Sequence, residues 1–121
     1  LEDALRRHPL IGQPVVVGDN RKYISALIFL DSEMLPTWLK NNGLPEMDLP
    51  QAADDETVRA AVEKAVETVN RPVSRAEGIK KFTILPVELS EDNGYLSAKQ
   101  SVKRHLVGKD FAADIDGLYA D

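Results

Sequence analysis

The sequence predicts an α+β fold, a small three-stranded sheet, antiparallel or mixed, packed by helices. Three observations carry this. Three short runs have the β-branched and apolar composition of strands: Val15–Val17, Tyr23–Leu30 and Lys80–Val87. Between them lies a segment with apolar residues at helical spacing, running through Val58, Ala61, Val62, Ala65, Val66 and Val69. Finally, 121 residues, 43% apolar and 29% charged, suffice to bury one core and argue against wholesale disorder.

Taken in order, Leu1–His8 reads as a helix, with Leu1, Ala4, Leu5 and His8 on one face. Pro9 stops it, and Gly12 and Pro14 mark a connection to the first strand. His8, at the end of the helix, is read as a cationic cap favoured by the dipole. The Gly18-Asp19-Asn20 turn joins the first two strands as an antiparallel hairpin. Tyr23–Leu30 is apolar on both faces, which places it centrally in the sheet. Asp31 is an N-cap for a helix whose apolar face is Met34, Leu35, Trp38 and Leu39, and Asn41-Asn42-Gly43 stops it. Leu44–Ala53, with Pro45 and Pro50, reads as a loop. Asp54 or Asp55 caps the long valine-striped helix, which Pro72 ends. Ser74-Arg75-Ala76-Glu77 is a capping-box pattern for one more helical turn. In the third strand Phe82, Ile84 and Pro86 share one face, and Thr83, Leu85 and Val87 the other. Asp92-Asn93-Gly94 is a turn, and Asp110 caps a final helix with Phe111, Ile115, Leu118 and Tyr119 buried.

Composition excludes several function classes. Without Cys there is no disulfide scaffold, thiolate zinc site or Cys nucleophile, and His8 and His105 alone cannot form a His-only metal centre. Lys plus Arg number 15 against 20 Asp plus Glu, and a net charge of −5 argues against a dedicated nucleic-acid binder. No carboxylate spacing matches a calcium loop, and no Gly-rich phosphate loop is present. No apolar run approaches the length of a membrane span. The chain begins at Leu1, with its first Met at Met34 deep in patterned sequence, and reads as a piece of a longer protein. One segment stands out chemically. From residue 93 to residue 109 there is no acidic residue, yet Lys99, Lys103, Arg104, His105 and Lys109 fall there. Uncompensated Lys and Arg create local positive potential suited to phosphate or carboxylate oxygens.

Three stretches, in one order, resemble long-chain acyl-CoA synthetases, the AMP-forming fatty-acid–CoA ligases of bacterial type. Asp19-Asn20-Arg21-Lys22-Tyr23-Ile24-Ser25-Ala26-Leu27-Ile28 is similar to their G-D-x-R-x-[FY]-I-x-A-L-I. The run from Val69-Asn70-Arg71-Pro72 to Ile79-Lys80-Lys81-Phe82 is similar to V-N-x-x-[LV]-[SA]-x-x-E-x-I-K-K-F. Leu96–Arg104, followed by Tyr119 in the last helix, is similar to L-T-P-T-x-K-x-[KR]-R. The ordered set covers Asp19 to Tyr119.

The resemblance implies that residues 1–121 are the single C-terminal lid domain of a larger enzyme, with residues 91–109 as its basic catalytic-type loop. It implies a partner in the N-terminal adenylation domain of the same polypeptide, which binds ATP and fatty acid, with Mg2+ and coenzyme A used by the whole enzyme. The lid would close for acyl-adenylate formation and rotate for thioester formation with coenzyme A. The fragment alone would be inactive. A lid lysine would offset the repulsion between a carboxylate and a triphosphate, with Arg104 assisting in cofactor binding. A cytoplasmic setting is implied, with peripheral contact at the inner membrane face left open.

The chain departs from that pattern where the chemistry is expected. Ser101 stands where the family usually has its Lys, and Ala98 where it has Pro. Lys99 lies two positions earlier and Lys103 two later. Three readings stay open: Lys99 serves from a shifted loop, Lys103 serves, or the catalytic role is weakened or lost. A reading from a different class is a non-catalytic interaction module, whose basic loop binds an anionic partner or membrane surface.

Overall fold

A computed structural model of the chain describes residues 2–18, 21–73 and 78–119. Its order is α1 (Glu2–Leu5), β1 (Ile11–Val17), β2 (Ile24–Leu30), α2 (Leu35–Asn41), α3 (Leu49–Asp54), α4 (Glu56–Asn70), β3 (Ile79–Leu85), α5 (Arg104–Asp110) and α6 (Ala112–Tyr119). The sheet order is β1-β2-β3, with β1 antiparallel and β3 parallel to the central β2. The mixed sheet follows from chain economy. A hairpin can join antiparallel neighbours, whereas a parallel partner needs a long crossover, here α2 to α4.

Every residue of β2 from Ser25 to Leu30 is buried, and its alternation divides the interior in two. Ala26, Ile28 and Leu30 face a core with Leu5, Leu35, Leu39, Val58, Val62 and Val66 from α1, α2 and α4. Leu27 and Phe29 face a second core with Leu85, Leu96, Val107, Ile115 and Leu118, against α5 and α6. In β3, Phe82 and Ile84 join the first core and Leu85 the second, as the alternation requires.

Several local expectations are corrected. The first strand begins at Ile11, so Gly12 and Pro14 lie within it. β1 is an edge strand, where a missing N–H is tolerated on the unpaired side. Val16, two residues along and therefore facing the same way, sends its N–H outward to Glu2 Oε2 at 2.8 Å. Gly12 sits at a register irregularity against the Leu30–Asp31 backbone, where a Cβ would come within 3.2 Å of three backbone atoms. Asp31 does not cap α2 itself. Its Oδ1 accepts from the N–H groups of Glu33 and Met34, at 2.9 and 3.2 Å, and so organises the turn leading into the helix. That turn leaves Met34 exposed, off the apolar face. The expected loop at 44–53 contains α3, nucleated by a capping box between Asp48 and Gln51. β3 stops at Leu85, leaving Pro86 and Val87 exposed and outside the strand. Asp110 ends α5 instead of capping α6.

His8 is also corrected. Its Nδ1 accepts from the Leu10 N–H at 3.1 Å, and burial lowers its pKa, so the neutral ring is favoured over a cationic cap. Leu1, Asp19, Asn20 and the capping-box pattern at 74–77 lie outside the described residues. Asp55 is the residue that caps α4, accepting from Thr57 and Val58 N–H at 2.9 and 3.0 Å. Trp38 is partly buried against the first core, as its spacing implies. Among the described residues, no helix is long and apolar enough to cross a membrane.

Candidate functional site: the turn between β3 and α5

The connection from β3 to α5 is built in two turns. In the first, Asn93 Oδ1 accepts from Ser90 N–H at 3.0 Å and its Nδ2 donates to the Glu88 carbonyl at 2.7 Å, while Gly94 takes φ +87°. A left-handed residue there suits glycine. The chain then enters an extended pair, Leu96 bridging Val102, with Lys103 N–H donating to the Tyr95 carbonyl at 2.8 Å. Leu96 is buried in the second core, which anchors one leg. Tyr95 packs against Phe111 with ring centroids 5.6 Å apart. Its hydroxyl donates to Asp110 Oδ2 at 2.7 Å, and this bond, more than partial desolvation or the carboxylate's charge, raises the phenol's pKa.

The second turn is organised by Ser97. Its N–H donates to the Ser101 carbonyl and its carbonyl accepts from Gln100 N–H, both at 2.8 Å. Its Oγ accepts from the N–H groups of Lys99 and Ser101, at 3.3 and 3.2 Å. Four bonds to one residue close the loop, and they hold Gln100 at φ 64° although it is not glycine. A left-handed non-glycine residue costs about 1 kcal/mol, so the surrounding bonds over-determine the turn. Ala98, Lys99, Gln100 and Ser101 are all exposed at its tip.

Of the predicted site residues, Lys99 and Ser101 therefore share this tip. Lys103 is exposed one turn away, at the N-cap of α5, with no side-chain capping bond. Arg104 is engaged elsewhere: its guanidinium pairs with Glu2 of α1. Among the described residues, neither Lys99 nor Lys103 forms an ion pair. Beside the tip lies a hollow of about 430 Å³ whose lining includes Asp31, Glu33, Glu88, Glu91, Asp92 and Gln100. Glu88 is already occupied, its two oxygens accepting from Ser32 N–H and Oγ–H at 2.8 and 2.7 Å. No group of three or more His, Asp or Glu among the described residues could hold a metal ion. The arrangement thus offers mobile cationic side chains on a fixed turn, suited to the oxygens of an anionic ligand brought up to it and unsuited to holding a cation.

Sequence reasoning missed Ser97 and Glu2. A serine followed at two and four residues by backbone donors is a legible turn signal in retrospect. The Glu2–Arg104 pair spans 102 residues and had no local signal.

Residues 1–121 match the family described as the AMP-binding enzyme C-terminal domain. The chain is 44% identical over 120 residues to the long-chain-fatty-acid–CoA ligase FadD15 of Mycobacterium tuberculosis, covering 98% of this chain and 20% of that protein. It is 31% identical over 112 residues to the putative fatty-acid–CoA ligase fadD11 of the same species, covering 93% of this chain and 19% of that one. The chain thus spans about a fifth of the length of these curated relatives. Among solved structures it superposes on the A-PCP didomain of the carboxylic acid reductase of Segniliparus rugosus, in complex with AMP, with a TM-score of 0.71 and 24% identity, over 98% of this chain and 15% of that one. The adenylation domain of a carboxylate reductase from Mycobacterium chelonae gives 0.72 and 20%, over 99% and 17%. These two likenesses concern the fold alone. A match over every residue, joined to the mixed three-stranded sheet and its cationic turn, makes the chain a member of the AMP-binding enzyme C-terminal domain family.

Proposed function

We propose that this chain is the C-terminal lid of an ATP-dependent long-chain fatty-acid–CoA ligase, and that Lys99 is the cation it delivers to the reacting carboxylate and α-phosphate. The observation that carries this is the turn at 97–101. Four hydrogen bonds on Ser97 fix the backbone, and Lys99 stands exposed at the tip without an ionic partner among the described residues. A lysine side chain spans the displacement from Ser101 by its own length, which makes a shifted donor physically workable.

The chemistry asked of the lid is electrostatic. The fatty carboxylate and the α-phosphate are both anionic, and attack of one on the other builds charge on the phosphoryl oxygens as pyrophosphate leaves. A cation inserted into a water-excluded site offsets that charge. The lid residues make no bond to the acyl group. They position charge, and domain closure times its arrival. ATP and coenzyme A enter as substrates of the whole enzyme. Mg2+ would be a cofactor of the whole enzyme, and among the described residues no group of three or more His, Asp or Glu could hold it by protein ligands alone. The partner is the N-terminal adenylation domain of the same polypeptide. Docking of the turn on an anionic membrane is disfavoured by the acidic hollow beside it.

The test is adenylation in the full-length enzyme, followed by carboxylate-dependent ATP–pyrophosphate exchange. Lys99→Ala is expected to slow exchange by about 10²- to 10³-fold, with Lys103→Ala retaining most of it. The opposite pattern would move the role to Lys103. Equal, near-wild-type exchange in both variants would mean that the lid supplies no catalytic cation, as Ser101 at the usual lysine position would then imply.

A further inference from the structure

On the other face of the sheet from the 97–101 turn, α1, α2 and α4 border a groove of about 770 Å³. Its apolar lining includes Ala61 and Ala65 of α4 and Trp38 of α2, all partly buried against the first core, with Asn42, Thr57 and Thr68 as neutral polar neighbours. Arg7, His8 and Lys64 also line it, and among the described residues no Asp or Glu does, in a chain that carries 20 acidic against 15 basic residues. Among the described residues the Arg7 guanidinium, the Lys64 ammonium and the Trp38 indole N–H donate to no side chain or carbonyl. His8 uses Nδ1 as an acceptor, so its neutral ring carries the hydrogen on Nε2, a further donor.

We infer that this groove binds a free single-chain aliphatic anion, its hydrocarbon lying along Ala61 and Ala65 and its carboxylate or phosphate head held by Arg7 and Lys64. The volume falls in the range of small-molecule sites, and such sites combine apolar walls with a few convergent polar groups. Charge complementarity selects the head, because every ionisable side chain that lines the groove among the described residues is basic. Burial of the chain supplies affinity, and the two cations supply preference for an anion over a neutral amphiphile. The inference does not depend on the lid reading, since the groove and the 97–101 turn lie on opposite faces of the sheet.

Trp38 is the sole tryptophan, so its emission reports this groove directly in the 121-residue chain. Titration with dodecanoate or dodecyl phosphate, below the concentration at which either aggregates, is expected to change that emission saturably. Dodecanol should require roughly tenfold more. The double variant Arg7→Glu, Lys64→Glu should raise the dodecanoate midpoint by roughly tenfold or more, and Ala60→Phe, which fills the groove from an exposed position, should abolish saturation. Thermal unfolding of each variant checks that it folds. Equal response to dodecanol, indifference to both variants, or a response to anionic phospholipid vesicles without one to monomeric anions would overturn the inference.

Discussion

His8 links protonation to local structure at a single side chain. Its Nδ1 must be unprotonated to accept from the Leu10 N–H, and burial lowers its pKa below the usual 6.5. The unfolded chain therefore binds a proton more readily than the native one, and stability rises with pH through this window. The contribution is fully present above the unfolded pKa and is lost as pH falls through the lowered native value. Thermal midpoints measured from pH 7.5 down to pH 5 should fall, and His8→Asn should flatten that slope relative to wild type. At this scale the sequence was informative about residue type and poor about role. It pointed to Lys99 and Lys103, because charge is visible in composition, and to Ser101 only through the resemblance, as the place of the family's usual Lys. It misread the state of His8, because burial is a property of the packed neighbours. It overlooked Ser97, whose contribution is a set of bonds to backbone amides two and four residues ahead.

Among the elements, the end of α4 is tied to the start of β3 by the side chain of Asn70. Asn70 ends α4, its Nδ2 donating to the Ile79 carbonyl and its Oδ1 accepting from the Ile79 N–H, both at 2.8 Å. Ile79 is buried, so its backbone groups have little access to water. Asn70→Ala leaves both unpaired and should cost about 2 kcal/mol, read as a lower denaturant midpoint with an unchanged m-value. Asn70→Asp should restore the acceptor and not the donor, and fall between. Helix α4 was legible because its valine stripe keeps period over four turns. Helix α3 was not, because Pro45 and Pro50 suggested a loop. Proline is tolerated in a first helical turn, and the Asp48–Gln51 box supplies what the prolines obscure. The same residue type hid the length of β1: Pro14 reads as a break, yet an edge strand accommodates it.

In the whole molecule, a single sheet carries two separate cores, and among the described strands β2 is the one buried toward both from Ser25 to Leu30. Among the described residues Phe29 is the largest fully buried side chain, and it packs edge-on against Phe111 of the second core, 5.3 Å between centroids. Phe29→Ala should cost about 3–5 kcal/mol, a large fraction of the roughly 5–15 kcal/mol typical of a domain. Calorimetry should show a markedly lower midpoint, and near-ultraviolet dichroism a weakened aromatic signal. The fold class was readable from period and composition, since both are set by which faces must be buried. The pairing of distant parts was not, and the tie from Glu2 to Arg104 and Val16 is the clearest case. That tie has a consequence for molecules meeting one another. A foreign strand approaching the outer side of β1 finds no hydrogen to accept at position 14 and one already taken at position 16, so growth of the sheet across that border is blocked and stacking of copies into fibrils is opposed there.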